Sequence, residues 1–248
     1  MSKPPLTARE GVEILDRALV LGLRHFWLLL ALELPPFTAY AVLVRVYANY
    51  SLPAALRWSA YVLALATTGA IQAILAVGVW DLVHGRPVSF VAAWLRVLRR
   101  IVGVGVAQLL KFIFTILAVI LLVIPALYVF AYWFAVPLVN VIEDLGIRAS
   151  VRRSSFLAGG AVAPIWLSVG LVYLVILLLN YGILFGAVRL GMHRGSTPQV
   201  LASFLVDACA YPFRATAGVL VYLELRKRKE AYDLEGLLAA LPARAAAL

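Results

Sequence analysis

Ionisable side chains inside long apolar segments are the residues of this 248-residue chain whose types and spacing could do chemistry. Glu33, Lys111 and Arg214 are of this kind, and a charge in lipid is costly enough to be a functional candidate by default. Each lies roughly seven to ten residues, or about 10 to 15 Å, from the same end of its predicted helix. One prediction is a shared polar centre in which Glu33 pairs with Lys111 or Arg214. The alternative is that Lys111 extends to the lipid headgroups while Glu33 and Arg214 form a structural ion pair.

Two further polar residues lie in the last two apolar segments. Asp207 precedes Arg214 by seven residues, which places both on one helical face. Asp207 and Asn180 are predicted to form either a polar vestibule towards the other end of the helices or a hydrogen bond between them.

Signatures of soluble enzymes are absent from the sequence, including phosphate loops, nucleophile elbows and zinc-protease motifs. The three histidines, His25, His84 and His193, are far apart, so they predict no metal site. The single cysteine, Cys209, excludes an intramolecular disulfide and a cysteine-based metal cluster. We expect neither a metal nor a cofactor, and a non-enzymatic role is favoured.

The composition predicts that lipid surrounds most of this chain. Hydrophobic residues make up 64% of the sequence and charged residues 14%, whereas a soluble domain is about half apolar and a quarter charged. The net charge of +10 comes from short basic clusters at the ends of apolar segments, which indicates membrane orientation and not nucleic-acid binding. A water-soluble domain is therefore excluded.

Six apolar segments are long enough to cross a bilayer, which takes about 20 residues as a helix. Pro125 separates the third from the fourth and predicts a tight hairpin, with one long kinked helix as the alternative. The predicted spans are 26–47, 58–80, 101–124, 126–142, 161–188 and 200–223.

The distribution of basic residues predicts that both termini lie in the cytoplasm. With this orientation, 16 of the 22 Lys and Arg residues fall on the cytoplasmic side and four on the opposite side, as the positive-inside rule requires. The four are Arg45, Arg57, Arg189 and Arg194, and Lys111 and Arg214 lie within spans.

A short amphipathic segment precedes the first, third and fifth spans. Residues 88–102 show it best, because apolar side chains recur at helical spacing while Arg96, Arg99 and Arg100 occupy other positions. Such helices are expected at the headgroups of the inner surface. The single membrane domain, 1–248, therefore divides into three units of one surface helix and two spans, near 8–80, 85–143 and 146–223, followed by a tail over 224–248.

Two stretches resemble one family of bacterial membrane proteins. The first carries Pro137, Glu143, Gly146, Ala149, Arg152, Arg153, Ser154, Gly159 and Gly160, and the second carries Tyr222, Leu225, Arg226, Arg228, Glu230, Asp233, Leu234 and Glu235. They are similar to the YciC-like proteins and to the membrane domain of glycerophosphoryl diester phosphodiesterases. The resemblance implies a multi-spanning protein of the bacterial cytoplasmic membrane. The chain has no room for the phosphodiesterase domain, so that activity is not implied.

Both stretches flank the predicted inner surface, where their charges could meet. One hypothesis is a structural clamp on the terminal helix, and the other is that Arg152 and Arg153 face anionic lipid headgroups or the acidic surface of a partner. The residues of the clamp are Glu143, Arg152, Arg153, Arg226, Arg228, Asp233 and Glu235.

Three functions are compatible with these features. The first is a non-enzymatic scaffold, anchor or regulator of a membrane or cytoplasmic protein partner, favoured by the missing catalytic motifs and the family resemblance. The second is a carrier or permease for a lipid-like or small amphiphilic substrate, favoured by the charges and prolines within the spans. A membrane-embedded enzyme is third, because no paired carboxylates or histidines share one depth.

Overall fold

Helices make up nearly all of the part of the chain that the computed structural model describes, which is residues 6–48, 51–121, 123–192 and 197–230. No strand occurs within these ranges. Their bounds are α1 Ala8–Arg24, α2 Phe26–Ala48, α3 Ala54–Val83, α4 Phe90–Arg99, α5 Ile101–Leu121, α6 Val123–Trp133, α7 Val136–Ile142, α8 Ile147–Ala158, α9 Val162–Ile165, a π-helical turn Trp166–Gly170, α10 Leu171–Arg189 and α11 Thr197–Glu230.

Six helical segments are long and apolar enough to cross a membrane, which confirms the predicted all-α, six-span fold class. They are Phe26–Ala48, Ala54–Val83, Ile101–Ala118, Pro125–Ile142, Val162–Arg189 and Pro198–Glu230. The cytoplasmic placement of the termini and the division into three units stay predictions.

The third and fourth spans form a hairpin and not one long kinked helix. The rings of Phe114 and Trp133 lie 5.2 Å apart, whereas nineteen residues of one continuous helix would separate them by about 28 Å. Pro125 lies in the first turn of α6, where its missing N–H would have no helical partner.

Two of the predicted spans are not single regular α-helices. The fourth is interrupted between α6 and α7, and Pro137 stands in the first turn of α7. The fifth begins with α9 and the π-helical turn, where Pro164 cannot donate a backbone hydrogen bond. The hydroxyl of Ser168 donates to the carbonyl oxygen of Pro164 at 2.7 Å, which satisfies that oxygen inside the bundle.

Helix α1 runs antiparallel to α11 and packs along it, instead of crossing it at a large angle. Gly22 of α1 faces Phe213 and Thr216, and Glu10, three turns earlier, bonds to Arg228. Gly11 approaches Pro164 so closely that a Cβ there would lie 2.9 Å from the Pro164 carbonyl oxygen. Small residues thus allow this amphipathic helix to pack against the spans.

Helix α4 matches the expected surface helix more closely than α1 does. Its small apolar residues Ala93 and Val97 are buried against the bundle. Val91 and Leu95 are half or more exposed, and they share the helix with exposed arginines. An apolar stripe that the described protein leaves uncovered, beside basic side chains, suits a helix at the headgroup level.

The end of the bundle that holds the start of α1, α4, α8 and the end of α11 is called the basic side below. Helix α11 has 34 residues and is therefore about 51 Å long, whereas the hydrocarbon core of a bilayer measures about 30 Å. Its last turns, with Glu224 and Glu230, can thus extend beyond the lipid on this side.

Close packing of α3 against α5 gives the first testable prediction. A Cβ at Gly69 would lie 3.1 Å from the backbone oxygen of Val104 and 2.8 Å from the Cβ of Gln108. We expect Gly69→Ala to lower the free energy of unfolding by about 1–3 kcal/mol, because the two helices must separate.

The matched control is Gly186→Ala in α10, where a Cβ would meet nothing within 4 Å. That variant should be unchanged or up to about 1 kcal/mol more stable, because alanine favours helix. Unfolding in mild detergent by added dodecyl sulfate measures both. Equal stabilities of the two variants would contradict the observed packing.

Candidate functional site

Four helices contribute one polar side chain each to a small cavity in the middle of the bundle, called the cationic cavity below. They are Gln72 of α3, Lys111 of α5, Tyr173 of α10 and Arg214 of α11. The cavity has a volume of about 30 Å³, which is the volume that one molecule occupies in liquid water. Its remaining lining is largely apolar, so the two cations dominate its electrostatics.

Arg214 is held by aromatic rings and one carboxylate. Its guanidinium carbon lies 4.7 Å from the ring centre of Tyr173 and 4.8 Å from that of Tyr211, which is cation–π geometry. Its Nη2 lies 3.7 Å from Oδ1 of Asp207, while its buried Nε has no hydrogen-bond partner. The guanidinium therefore keeps unused donor capacity inside the bundle.

Lys111 brings a second positive charge to the same cavity. Its Nζ lies 5.4 Å above the ring centre of Phe130, and no carboxylate within the described ranges forms an ion pair with it. The phenol of Tyr173 accepts a hydrogen bond from the amide of Gln72 at 3.0 Å, so these two neutral side chains are partners of each other. The charge of Lys111 is left without a counter-ion in the described structure.

Glu33 does not complete the predicted ion pair. Its side chain is completely buried, and neither carboxyl oxygen has a hydrogen-bond partner in the described part of the protein. Arg214 is close enough to act on it electrostatically, but the nearest carboxylate that contacts Arg214 is Asp207. The structural Glu33–Arg214 pair and the Glu33–Lys111 pair are thus not formed.

Asp207 and Asn180 make the interhelical contact that the sequence offered as one of two alternatives. The Asn180 amide donates to Oδ1 of Asp207 at 3.2 Å, which links α10 to α11. Asp207 also faces Arg214, so both residues join the polar cluster, and they form no separate vestibule in the described structure. Gln72, Tyr173 and Tyr211 were missed at the sequence level, because neutral side chains in apolar segments give no charge signal.

A second cluster, on the basic side, joins α7, α8 and α11. Arg153 donates to Glu143 at 2.8 Å and to Glu230 at 2.7 Å. The Tyr222 hydroxyl donates to Glu143, and Arg226 pairs with Glu230 at 3.2 Å. One arginine thus bridges two carboxylates from different helices, which is the geometry of the proposed clamp.

Arg228 extends this clamp to α1. It donates to Glu10 at 2.6 Å and to Glu224 at 2.7 Å. Glu10 accepts bonds from the backbone N–H and the hydroxyl of Thr7 in a capping box, and these bonds together with Arg228 lower the pKa of Glu10 to about 2. The first turn of α1 is therefore fastened to the end of α11.

The remaining predicted clamp residues behave differently. Arg152 is exposed and takes no part in the network as far as the structure describes it, whereas Asp233 and Glu235 lie outside the described residues. Glu230 and Glu10 were not among the predicted clamp residues, because a sequence does not reveal which helix ends meet. Within the described ranges, no group of three or more His, Cys, Asp or Glu side chains could hold a metal ion.

Comparison of the chain with family models, curated proteins and solved structures gives no match in any of the three. The resemblance to YciC-like membrane proteins therefore stays a prediction.

Neighbouring arginines in α8 give a matched test of the clamp. We expect Arg153→Ala to lower the free energy of unfolding by about 1–3 kcal/mol, because Glu143 and Glu230 lose a shared partner. Arg152→Ala should stay within about 0.5 kcal/mol of the parent, because Arg152 is exposed and outside the network. Dodecyl sulfate unfolding measures both, and equal losses would contradict the clamp.

The lowered pKa of Glu10 predicts a pH dependence. The folded pKa of about 2 lies below the ordinary value of 4.5, so ionised Glu10 stabilises the fold above pH 4.5 and loses this effect as the pH falls towards 2. Glu10→Gln should therefore have a lower melting temperature than the parent at pH 6, and the difference should shrink at pH 3. A difference that stays constant over this range would contradict the assignment.

Proposed function

We propose that this protein is a carrier for a small or lipid-like amphiphile with one anionic group, which binds at Lys111 and Arg214. The observation that supports it is the cationic cavity, in which two basic side chains from α5 and α11 meet inside the bundle. A charge at this depth costs free energy, and no ion pair with Glu33 forms in the described structure to compensate it.

The charges of the cluster favour an anionic ligand. Lys111 and Arg214 contribute two positive charges, whereas Asp207 supplies the one carboxylate in contact with either of them in the described structure. Hydrogen bonds that involve a charged group are among the stronger ones, and the buried Nε of Arg214 has no hydrogen-bond partner in the described structure. A sulfonate, carboxylate or phosphate monoester could accept from both.

An apolar groove beside the cavity supports an amphiphilic ligand. It has a volume of about 570 Å³, within the usual range of ligand pockets, and lies between α1, α10 and α11. Consecutive residues line the two spaces, since Val172 and Phe213 face the groove while Tyr173 and Arg214 face the cavity. In this proposal, the tail lies in the groove and the head enters the cavity when α10 and α11 separate.

The location is part of the same proposal. Six apolar helices indicate a multi-pass membrane protein, and we propose the bacterial cytoplasmic membrane with both termini in the cytoplasm. The excess of basic residues on one side and the resemblance to YciC-like proteins support this placement.

A second proposal, a scaffold that anchors a partner at the inner surface, is favoured by the exposed basic residues of the basic side. Arg96 and Arg99 of α4 and Arg148 and Arg152 of α8 are exposed and lie outside the clamp. Anionic lipid headgroups or an acidic protein surface could bind them. Loss of partner retention on changing Arg148 and Arg152 to alanine would support this role, and unchanged retention would remove it.

Ligand binding by the purified protein in nanodiscs tests the carrier. Decyl sulfonate is the probe, and decyltrimethylammonium, with the same tail and the opposite charge, is its control. We expect calorimetry to detect decyl sulfonate alone, and Lys111→Met to weaken its binding about 10-fold or more, since one charged hydrogen bond is worth about 1.5–3 kcal/mol. Lys111 has no counter-ion in the described structure, so this variant should fold normally.

Arg214→Met should weaken binding similarly, with Arg189→Met as its matched control. Arg189 is at the far end of α10, stacked on Phe185 and away from the cavity. Equal binding of the two decyl compounds, or full binding by folded Lys111→Met and Arg214→Met, would reject the carrier.

A further inference from the structure

We propose that Glu33 is a proton-binding site that couples one proton to each anion carried by the cationic cavity. This inference deepens the proposed function and rests on it. The proton would come from water and return to water, and no covalent bond to carbon, phosphorus or sulfur changes.

The surroundings of Glu33 are those of a neutral carboxyl group. Its side chain is completely buried, and both carboxyl oxygens lack a hydrogen-bond partner within the described ranges. An ionised carboxylate in such a place would lose its hydration without compensation, whereas a protonated one loses far less. The described geometry therefore belongs to the protonated form.

The charged groups near Glu33 come from one neighbouring helix. Helix α11 presents Arg214, together with Asp207 and the phenol of Tyr211 around the same guanidinium. Helix α3, which packs along α2, has no ionisable side chain between Tyr61 and Asp81. Helix α1 ends at Arg24, nine residues before Glu33. Arg214 is thus the cation that acts electrostatically on Glu33.

The formal charges of the cluster then link the proton to the anion. With Glu33 ionised and the cavity empty, Lys111 and Arg214 are balanced by Glu33 and Asp207. Protonation of Glu33 leaves one positive charge in excess, and a bound monoanion restores neutrality. Binding of the proton and of the anion must therefore favour each other, because thermodynamic coupling is reciprocal. The loaded and empty clusters carry the same charge, which suits joint movement across a membrane.

The backbone of α2 offers a means of coupling. Pro35 and Pro36 are the second and third residues after Glu33. Neither donates a backbone hydrogen bond, so the carbonyls of Ala31 and Leu32 lose their helical partners. Helices bend most readily at such positions. A small bend would bring an ionised Glu33 towards Arg214, and reprotonation would release it again.

Infrared spectroscopy tests the protonation without any ligand. The purified protein at pH 7 should show the carbonyl stretch of a buried protonated carboxyl, and this band should be absent from Glu33→Gln. Glu13→Gln, which changes an exposed glutamate of α1, is the matched control and should keep the band. Absence of the band from the parent at pH 7 would overturn the inference, and so would its persistence in Glu33→Gln.

The pH dependence of decyl sulfonate binding tests the coupling. The probe stays anionic throughout, so we expect the parent's affinity to fall by up to about tenfold per pH unit above the titration of Glu33. Glu33→Gln mimics the protonated side chain and should keep the high affinity over the same range. Asp207→Asn, a control for another carboxyl of the cluster, should keep the pH dependence.

The outcomes separate the two proposals. Binding of decyl sulfonate with the same pH dependence in the parent and in Glu33→Gln would overturn the coupling and leave the carrier intact. No binding of decyl sulfonate by the parent at any pH would overturn the carrier, and the coupling with it, even where the infrared band is present.

Discussion

Arg214 brings a positive charge into the apolar middle of the bundle, and the packing of α3, α10 and α11 around it reflects that constraint. Two tyrosine rings cover the guanidinium, and Asp207 approaches one of its nitrogens. These contacts reduce the cost of the charge without removing it, because Nε stays unpartnered. Asp207 and the two tyrosine rings lie against this cation because each interacts with it more favourably than lipid does.

The two clusters differ in how far carboxylates compensate their positive charges. On the basic side, Arg153 and Arg228 are each bonded to two carboxylates, so their charges are balanced and they join helices. In the cationic cavity, Lys111 has no carboxylate partner in the described structure. Balanced charges at a surface stabilise a fold, whereas the unbalanced charge in this cavity supports the proposed binding of an anion.

The clamp connects helices on the basic side. It fastens α1 to the last turns of α11 through Glu10 and Arg228, and α8 to the same turns through Arg153 and Glu230. In the opposite half of α11, Asp207 accepts a hydrogen bond from Asn180 of α10. Separation of α10 and α11, which the proposed carrier requires, would break this hydrogen bond, whereas the contacts of the clamp do not involve α10.

Hydropathy in the sequence was sufficient for the six spans and the all-α class, because both depend on local composition, and the missing N–H of Pro125 favoured a hairpin over one long kinked helix. The sequence also singled out every charged residue of the cavity. It could not determine which of these meet, since partner choice depends on helix rotation and on which spans are neighbours. Packing therefore decided that Arg214 contacts Asp207 and leaves Glu33 alone, that Gln72 and Tyr173 join the site, and that α1 runs along α11.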